Sequence, residues 1–179
     1  MSKVVEKWLP LVRFGKQIPN YQISDQGNVW DTSKNQPVQP KTTGQPWKNW
    51  AALCVSVRIP SNDFFGEEYI YASKSITCRV HRLVMEAFRP IDEYPPIPKS
   101  DWDAAPESAK KFIRESVVID HINNDPLDNR LENLRWVSAL ENSAARKKSK
   151  MLKEGIEIPS KKKVEIEEPR MSPLERCFV

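Results

Sequence analysis

The sequence contains few cysteines and no long apolar run. Its 179 residues include only Cys54, Cys78 and Cys177, which are widely spaced and form no C-x-x-C pair. Neither a disulfide framework nor a cysteine-based zinc site is therefore indicated. No apolar run approaches the roughly 20 residues that a membrane helix needs, and the N-terminus lacks the continuous apolar segment of a signal peptide. We therefore expect a cytoplasmic protein with no membrane partner.

The excess of positive charge is confined to the C-terminal end. The formal net charge is +4; residues 146–179 carry ten Lys and Arg against six Asp and Glu, whereas residues 1–145 carry 18 of each. Basic clusters of this kind suit phosphate backbones, although many are only solvated tails. We expect residues 149–179 to be a basic, largely flexible tail, and net charge alone does not indicate a nucleic-acid partner.

The N-terminal part predicts a small antiparallel β module over residues 1–78. Tyr21, Ile23 and Val29 have strand-like spacing around a Ser-Asp-Gln-Gly-Asn turn at 24–28, which is typical of a hairpin. Apolar residues alternate with polar ones along 53–59, as in a half-buried strand, and segments 69–71 and 75–78 suggest more strand. The candidates for positive charge on the outer face, which could contact DNA, are Lys41, Lys48, Arg58 and Lys74.

A helix and an irregular segment follow this module. Apolar residues over 80–88 fall on one helical face, and Arg89-Pro90 ends the helix. His81 and Arg82 lie in its first turn. Five prolines mark residues 90–116 as an insertion, in which 104–116 could form one short helix. We see no chemistry in this insertion.

Polar residues cluster where the next elements meet. The apolar run 117–119 ends in Asp120-His121, a loop of turn-forming residues covers 123–130, and a second apolar run covers 134–137. These two runs predict a pair of strands. Ser138 and Glu141 form an S-x-x-E capping box, which predicts a helix from there to about residue 148 with Asn142 in its first or second turn.

This arrangement suits hydrolysis of a phosphodiester. Asp120 offers a carboxylate and Asn142 a carbonyl oxygen, the ligands that Mg²⁺ prefers. Imidazole is the side chain whose ordinary pKa best suits a general base near neutrality, which points to His121. Asn133 could orient that ring by accepting a hydrogen bond. Because neighbours on a regular strand point to opposite faces, we expect the strand to end or twist at Asp120-His121.

The polar segments together resemble the HNH nuclease motif of phage homing endonucleases, a family with a ββα-metal fold. The residues that carry this resemblance are Asp120-His121-Ile122-Asn123-Asn124, Asn129-Arg130-Leu131-Glu132-Asn133-Leu134-Arg135-Trp136-Val137 and Glu141-Asn142, preceded by Val80-His81-Arg82-Leu83-Val84. Residues 19–29 resemble the nuclease-associated module with the pattern Y-x-V-S-N-x-G-x-V, with Ile23 and Asp25 at its Val and Asn positions. The resemblance covers roughly residues 8–148.

The resemblance implies an α+β fold, with the β module at 1–78 followed by a ββα-metal (His-Me finger) HNH nuclease domain at 79–148 that contains the insertion. It implies that His121 is the general base, Asn133 its orienting partner, and Asp120 and Asn142 the ligands of a divalent metal, Mg²⁺ first and Mn²⁺ as the alternative. Double-stranded DNA would be the partner and a monomer is the default. The DNA-contacting candidates are His81, Arg82, Arg130, Arg135, Arg146, Lys147 and Lys148.

Three functions fit the sequence. The leading hypothesis is a metal-dependent, one-metal DNA endonuclease of the homing or nicking type, in the cytoplasm of a phage-infected or prophage-bearing cell. The alternative is a catalytically inactive DNA-binding protein of the same architecture. A third, an interaction or structural protein with a coincidental Asp-His pair, is favoured only by the neutral body of the chain.

Overall fold

The N-terminal residues form a four-stranded antiparallel sheet. The computed structural model describes residues 5–44, 51–65 and 73–145. The strands of the first sheet pair in the order β1-β2-β3-β4, and the turn at 24–28 joins the second strand to the third, as the sequence predicted. Their bounds are β1 Trp8–Arg13, β2 Lys16–Ser24, β3 Val29–Asp31 and β4 Gln36–Pro37.

A second antiparallel sheet follows, in the order β5-β6-β7. The predicted alternation is confirmed over 55–59, where Val55, Val57 and Ile59 are buried while Ser56 and Arg58 are exposed. It does not hold at 53–54, because Cys54 is buried and Leu53 is half-buried. The predicted strand at 69–71 and Lys48 lie outside the described residues. The elements are β5 Lys41–Thr43, β6 Ala52–Pro60, the short helix α1 Ser61–Phe65 and β7 Ser73–Arg79.

Helices fill the segment between the second sheet and the last pair of strands. The helix α2, Val80–Phe88, matches the sequence prediction and buries Val80, Leu83, Val84 and Met85. The insertion 90–116 forms two short helices. The second matches the single helix predicted over 104–116, and the first, which ends before Pro106, was not predicted. They are α3 Lys99–Ala104, which buries Trp102, and α4 Glu107–Ser116.

The predicted strand pair and the helix after it are present. Strand β8, Val117–His121, pairs antiparallel with β9, Leu134–Ser138. Their connection ends in a 3-10 turn at Leu131–Asn133. Helix α5 begins at residue 139 and is described as far as residue 145. The outcome is an α+β fold in which antiparallel sheets precede a ββα unit.

One apolar core joins the N-terminal strands to these later elements. It contains Leu11 and Ile23 from the first sheet, Val57 from the second, Leu83 from α2, and Leu134 from β9. The predicted boundary at residue 78 therefore falls within a continuous core, because α2 packs directly on β1, β2 and β6. Among the described residues, no helix is long and apolar enough to cross a membrane.

Candidate active site

The two candidate residues at the end of β8 are placed by strand register. Asp120 lies opposite Arg135, and His121 lies opposite Leu134. Strand β8 ends at His121, as predicted, although Asp120 and His121 still occupy consecutive paired positions of the ladder. The next backbone N–H, of Ile122, still donates to the carbonyl oxygen of Asn133 at 2.9 Å. The connecting loop is therefore tied to β9 directly after the candidate base.

The carboxylate of Asp120 is buried and paired with an arginine. The Nε and Nη2 atoms of Arg135 both donate to Oδ2 of Asp120, at 2.9 and 2.8 Å. The side chain of Asp120 is 6% exposed, whereas that of Arg135 is 51% exposed. Both contacts use the same carboxylate oxygen. Arg135 therefore lies on the solvent side of the proposed metal ligand, where an approaching phosphate could also contact it.

The ring of His121 is held by Asn129, a residue for which the sequence indicated no role. Nε2 of His121 lies 3.1 Å from Oδ1 of Asn129. The Asn129 amide nitrogen donates to the carbonyl oxygen of Leu127 at 3.3 Å, which fixes the orientation of the amide. Asn129 is only 4% exposed. In sequence it is one of several turn formers in a polar loop, and only the folded contact distinguishes it.

A second histidine packs against the first. The rings of His81 and His121 meet edge to face, with centroids 5.3 Å apart and an interplanar angle of 88°. Burial, followed by the nearby His121 and the arginines at 79 and 82, lowers the pKa of His81 to about 3. Nδ1 of His81 is buried and has no hydrogen-bond partner among the described residues. A neutral His81 is thus placed beside the candidate base.

Asn133 anchors the loop and makes no hydrogen bond to the His121 ring. Its Oδ1 accepts from the backbone N–H of Asn123 at 3.0 Å, and its Nδ2 donates to Oδ1 of Asn123 and to the carbonyl oxygen of Asp128. Asn133 is 6% exposed. The ring contact expected for Asn133 is made by Asn129 instead, because Asn133 points across the loop to its start.

Asn142 lies in the first turns of α5, and the capping box is present. The Ser138 hydroxyl accepts from the Glu141 backbone N–H at 3.2 Å, while the Glu141 carboxylate accepts from the backbone N–H of Ser138 at 2.9 Å. The box thus fixes the helix start as predicted. Oδ1 of Asn142 is buried and has no hydrogen-bond partner within the part of the chain that is described.

The remaining DNA-contacting candidates differ in their surroundings. Arg130 is engaged by Asp128 at 2.8 Å and Glu132 at 2.7 Å, and the Arg130 guanidinium lowers the pKa of Asp128 to about 2. Nη1 of Arg82 lies 4.0 Å from Oε1 of Glu86. Burial lowers the pKa of Arg82. Arg146, Lys147 and Lys148 lie outside the described residues.

A protein-family comparison matches the segment that contains the candidate active-site residues. Residues 78–144 match the HNH endonuclease family model. We refer to this matched segment, residues 78–144, as the HNH domain. It includes α2, the insertion, both strands and the described start of α5, and thus all four proposed catalytic and metal-binding residues.

Two known proteins resemble the chain. An uncharacterised HNH endonuclease of Acanthamoeba polyphaga mimivirus is 29% identical over 144 residues, which are 79% of this chain and 26% of the viral protein. The chain thus spans about a quarter of that relative. A solved structure, described as DNA binding and cleavage by the HNH homing endonuclease I-HmuI, aligns with a TM-score of 0.48 and 18% identity, over 85% of this chain and 62% of that one.

The side-chain oxygens of Asp120 and Asn142 are of the chemical type that a hard divalent cation prefers. Asn142 Oδ1 is a buried carbonyl oxygen without a partner among the described residues, and leaving such an atom unsatisfied costs free energy. Asp120 adds a buried carboxylate. Mg²⁺ commonly takes one or two protein oxygens and completes its shell with water and phosphate. Across residues 5–44, 51–65 and 73–145 no cluster of three or more His, Cys, Asp or Glu could hold a metal.

Proposed function

We propose that the protein is a metal-dependent DNA endonuclease that hydrolyses phosphodiester bonds at its HNH domain. The observation that carries this proposal is the placement of His121 at the end of β8, with one ring nitrogen engaged by Asn129. The buried oxygens of Asp120 and Asn142, in the strand and the helix of the same ββα unit, add a donor set for the cation.

The hydrogen bond to Asn129 assigns the tautomer of the base. The Asn129 Oδ1 atom is a carbonyl oxygen and can only accept, so Nε2 of His121 carries the proton. Nδ1 then carries the lone pair and accepts a proton from water as the water oxygen attacks phosphorus. A P–O ester bond breaks, and the leaving oxygen takes a proton from solvent. Water provides both the nucleophile and the proton that His121 gains.

Asp120 and Asn142 would hold a single divalent cation, with Mg²⁺ as the first choice and Mn²⁺ as the alternative. Such an ion would stabilise the negative charge that develops on the phosphate oxygens and the leaving oxygen. Asn133 keeps the loop between the two strands closed through its contacts to Asn123 and Asp128. This loop, in turn, carries Asn129.

Double-stranded DNA is the proposed substrate. One HNH site in a monomer reaches one phosphodiester at a time, so nicking is the expected outcome, and a homing role follows from the resemblance in sequence. Arg135 lies on the solvent side of Asp120, where a phosphate could take it over. The runs of cations at 146–150 and 161–163 would contact the DNA backbone, which supplies affinity without sequence readout.

A nicking assay tests the proposal. Supercoiled plasmid is incubated with the protein in Mg²⁺, in Mn²⁺ and in EDTA, and Asp120→Ala is compared with wild type. We expect nicked circles with either metal, none in EDTA, and loss of nicking in Asp120→Ala with most DNA affinity kept, because phosphate contacts elsewhere supply that affinity.

The same assay separates the alternatives. A protein that shifts DNA in a gel but never nicks it in either metal would be the catalytically inactive DNA-binding protein. Nicking that persists unchanged in EDTA would contradict the proposed role of the metal. Absence of any DNA affinity at low salt would leave only the interaction or structural protein.

A further inference from the structure

We propose that the turn at 24–28 of the N-terminal sheet positions the general base of the nuclease site. This inference rests on the proposed function of His121. It assigns the N-terminal sheet a part in catalysis that is separate from any contact with DNA. The connection runs from the turn to Asn129, and from Asn129 to the ring of His121.

The turn is held in one conformation by its own hydrogen bonds. Oγ of the buried Ser24 accepts from the backbone N–H groups of Gln26 at 3.3 Å and Asn28 at 3.0 Å. The backbone N–H of Gly27 donates to the carbonyl oxygen of Ser24 at 3.0 Å. Asp25 is fixed to Lys7 by two further hydrogen bonds, one from each backbone N–H. These hydrogen bonds fix the backbone of the turn, which therefore presents one fixed surface to its neighbours.

This surface lies directly against the loop of the HNH domain. The carbonyl oxygen of Asp25 accepts from the backbone N–H of Leu131 at 2.8 Å. A Cβ atom built on Gly27 would lie 3.1 Å from Cβ of Asn129 and 3.2 Å from its carbonyl oxygen. Gly27 has a φ of +83°, a conformation that favours glycine. The missing side chain thus lets the turn approach Asn129 closely.

The side chain of Asn129 connects the turn to the candidate base, His121. Asn129 is 4% exposed, and its Oδ1 lies 3.1 Å from Nε2 of His121. A displacement of the Asn129 backbone would move the acceptor that selects the His121 tautomer. Misplacement of a catalytic group by about 1 Å can cost 100-fold in rate. Gly27 is therefore a positioning residue that acts through Asn129.

The test compares two glycines of the same sheet. Gly15 also has a positive φ, +71°, but a Cβ there would meet nothing within 4 Å. Gly27→Ala and Gly15→Ala therefore share the backbone strain, and only Gly27→Ala presses on Asn129. We expect the single-turnover cleavage rate on saturating plasmid in Mg²⁺ to fall about 10- to 100-fold further in Gly27→Ala, with DNA affinity within about twofold of the control and an altered pH–rate profile.

A readout that needs no cleavage accompanies the rates. The ¹⁵N chemical shifts of the His121 ring report its tautomer, and we expect Gly27→Ala and Asn129→Ala, but not Gly15→Ala, to change them. If circular dichroism shows that Gly27→Ala does not fold, Asn129→Ala is used in its place. In the double variant, the effects of Gly27→Ala and Asn129→Ala on the cleavage rate should be less than additive.

The outcomes distinguish this inference from the proposed function. If wild type does not cut DNA, the proposed function fails, while the ring shifts still test whether the turn positions His121. If Gly27→Ala and Gly15→Ala match in rate, pH profile and ring shifts, or if Asn129→Ala leaves the ring shifts and the rate unchanged, the positioning role is wrong.

Discussion

Arg135 donates two hydrogen bonds to one carboxylate oxygen of Asp120, the residue that we propose as a metal ligand. Its two nitrogens converge on Oδ2 of Asp120 because the two residues face each other across the β8–β9 pair. A cation that binds the same carboxylate competes with this guanidinium. In the DNA complex, a phosphate could replace Asp120 as the partner of Arg135, which would couple DNA binding to metal binding.

We therefore expect Arg135→Gln to bind Mn²⁺ about two- to fivefold more tightly than wild type in the absence of DNA. Titration followed by electron paramagnetic resonance measures the free ion. Arg130→Gln is the matched control, because it removes the same charge from a guanidinium that pairs with Asp128 and Glu132. Equal effects of the two variants would mean that only net charge matters.

Burial of His81 should make the stability of the protein sensitive to acid. Its pKa is lowered, chiefly by burial, to about 3, whereas a histidine in an unfolded chain titrates near 6.5. Between these values the unfolded chain binds a proton that the folded chain does not, so stability falls as the pH decreases. We expect the free energy of unfolding to decline more steeply from pH 6.5 to 4.5 in wild type than in His81→Gln, by at most about 1.4 kcal/mol per pH unit.

Urea denaturation at a series of pH values measures this difference. Both proteins should have similar slopes above about pH 7.5, where neither form of the chain protonates a histidine of ordinary pKa. Parallel curves across the acid range would show that His81 titrates alike in the folded and unfolded chains.

At the level of elements, the start of α5 sets the position of Asn142. The hydroxyl and backbone of Ser138 exchange hydrogen bonds with Glu141. We expect Ser138→Ala to lower the free energy of unfolding by about 1 kcal/mol and to weaken Mn²⁺ binding, because the turn that carries Asn142 loosens. Ser143→Ala, at an exposed serine of the same helix, is the control. Unchanged Mn²⁺ affinity in Ser138→Ala would separate the cap from the metal site.

The elements could be predicted because their signals are local. The alternation along the second half of β6, the helical face of α2 and the capping box before α5 each depend on residues close in sequence, and the structure confirms all three. The end of β8 at His121 followed from the need to bring Asp120 and His121 to one site. These features were sufficient to place the HNH domain.

The contacts between distant segments were not predictable in this way. Asn129 was one of several turn formers in its loop, and only its burial and its contact with the His121 ring in the folded chain distinguish it. The pairing of Asp120 with Arg135 depends on strand register, which no single residue reveals. In the insertion, the helix predicted over 104–116 is present as α4, whereas α3, which ends before Pro106, was not predicted.

At the level of the whole molecule, charge is divided between a neutral body and a basic end. The basic run at 146–150 contains Arg146, Lys147, Lys148 and Lys150. Residues 1–145, the neutral body, carry no net formal charge. If each of these four contacts one phosphate, replacing all four by Gln reduces the slope of log affinity against log salt by about 3.6. Fluorescence anisotropy between 50 and 200 mM salt measures the slope.

The outcome is compared with that for replacement of Lys161, Lys162 and Lys163 by Gln, which removes a second basic run. A larger change from the 146–150 variant would place the phosphate contacts next to the HNH domain. A wild-type slope near zero would contradict a DNA partner altogether, because release of counterions is intrinsic to phosphate binding.

The cleavage and binding of one DNA duplex by wild type and His121→Ala test the central claim most directly. Both are measured in Mg²⁺ with protein in excess over DNA, so that binding is saturated. General-base catalysis contributes about 10²- to 10⁴-fold, and we expect the cleavage rate to fall by at least about 100-fold while the dissociation constant changes by less than about twofold. Cleavage by His121→Ala at the wild-type rate, or equal losses of binding and cleavage, would contradict the assignment of His121 as the base.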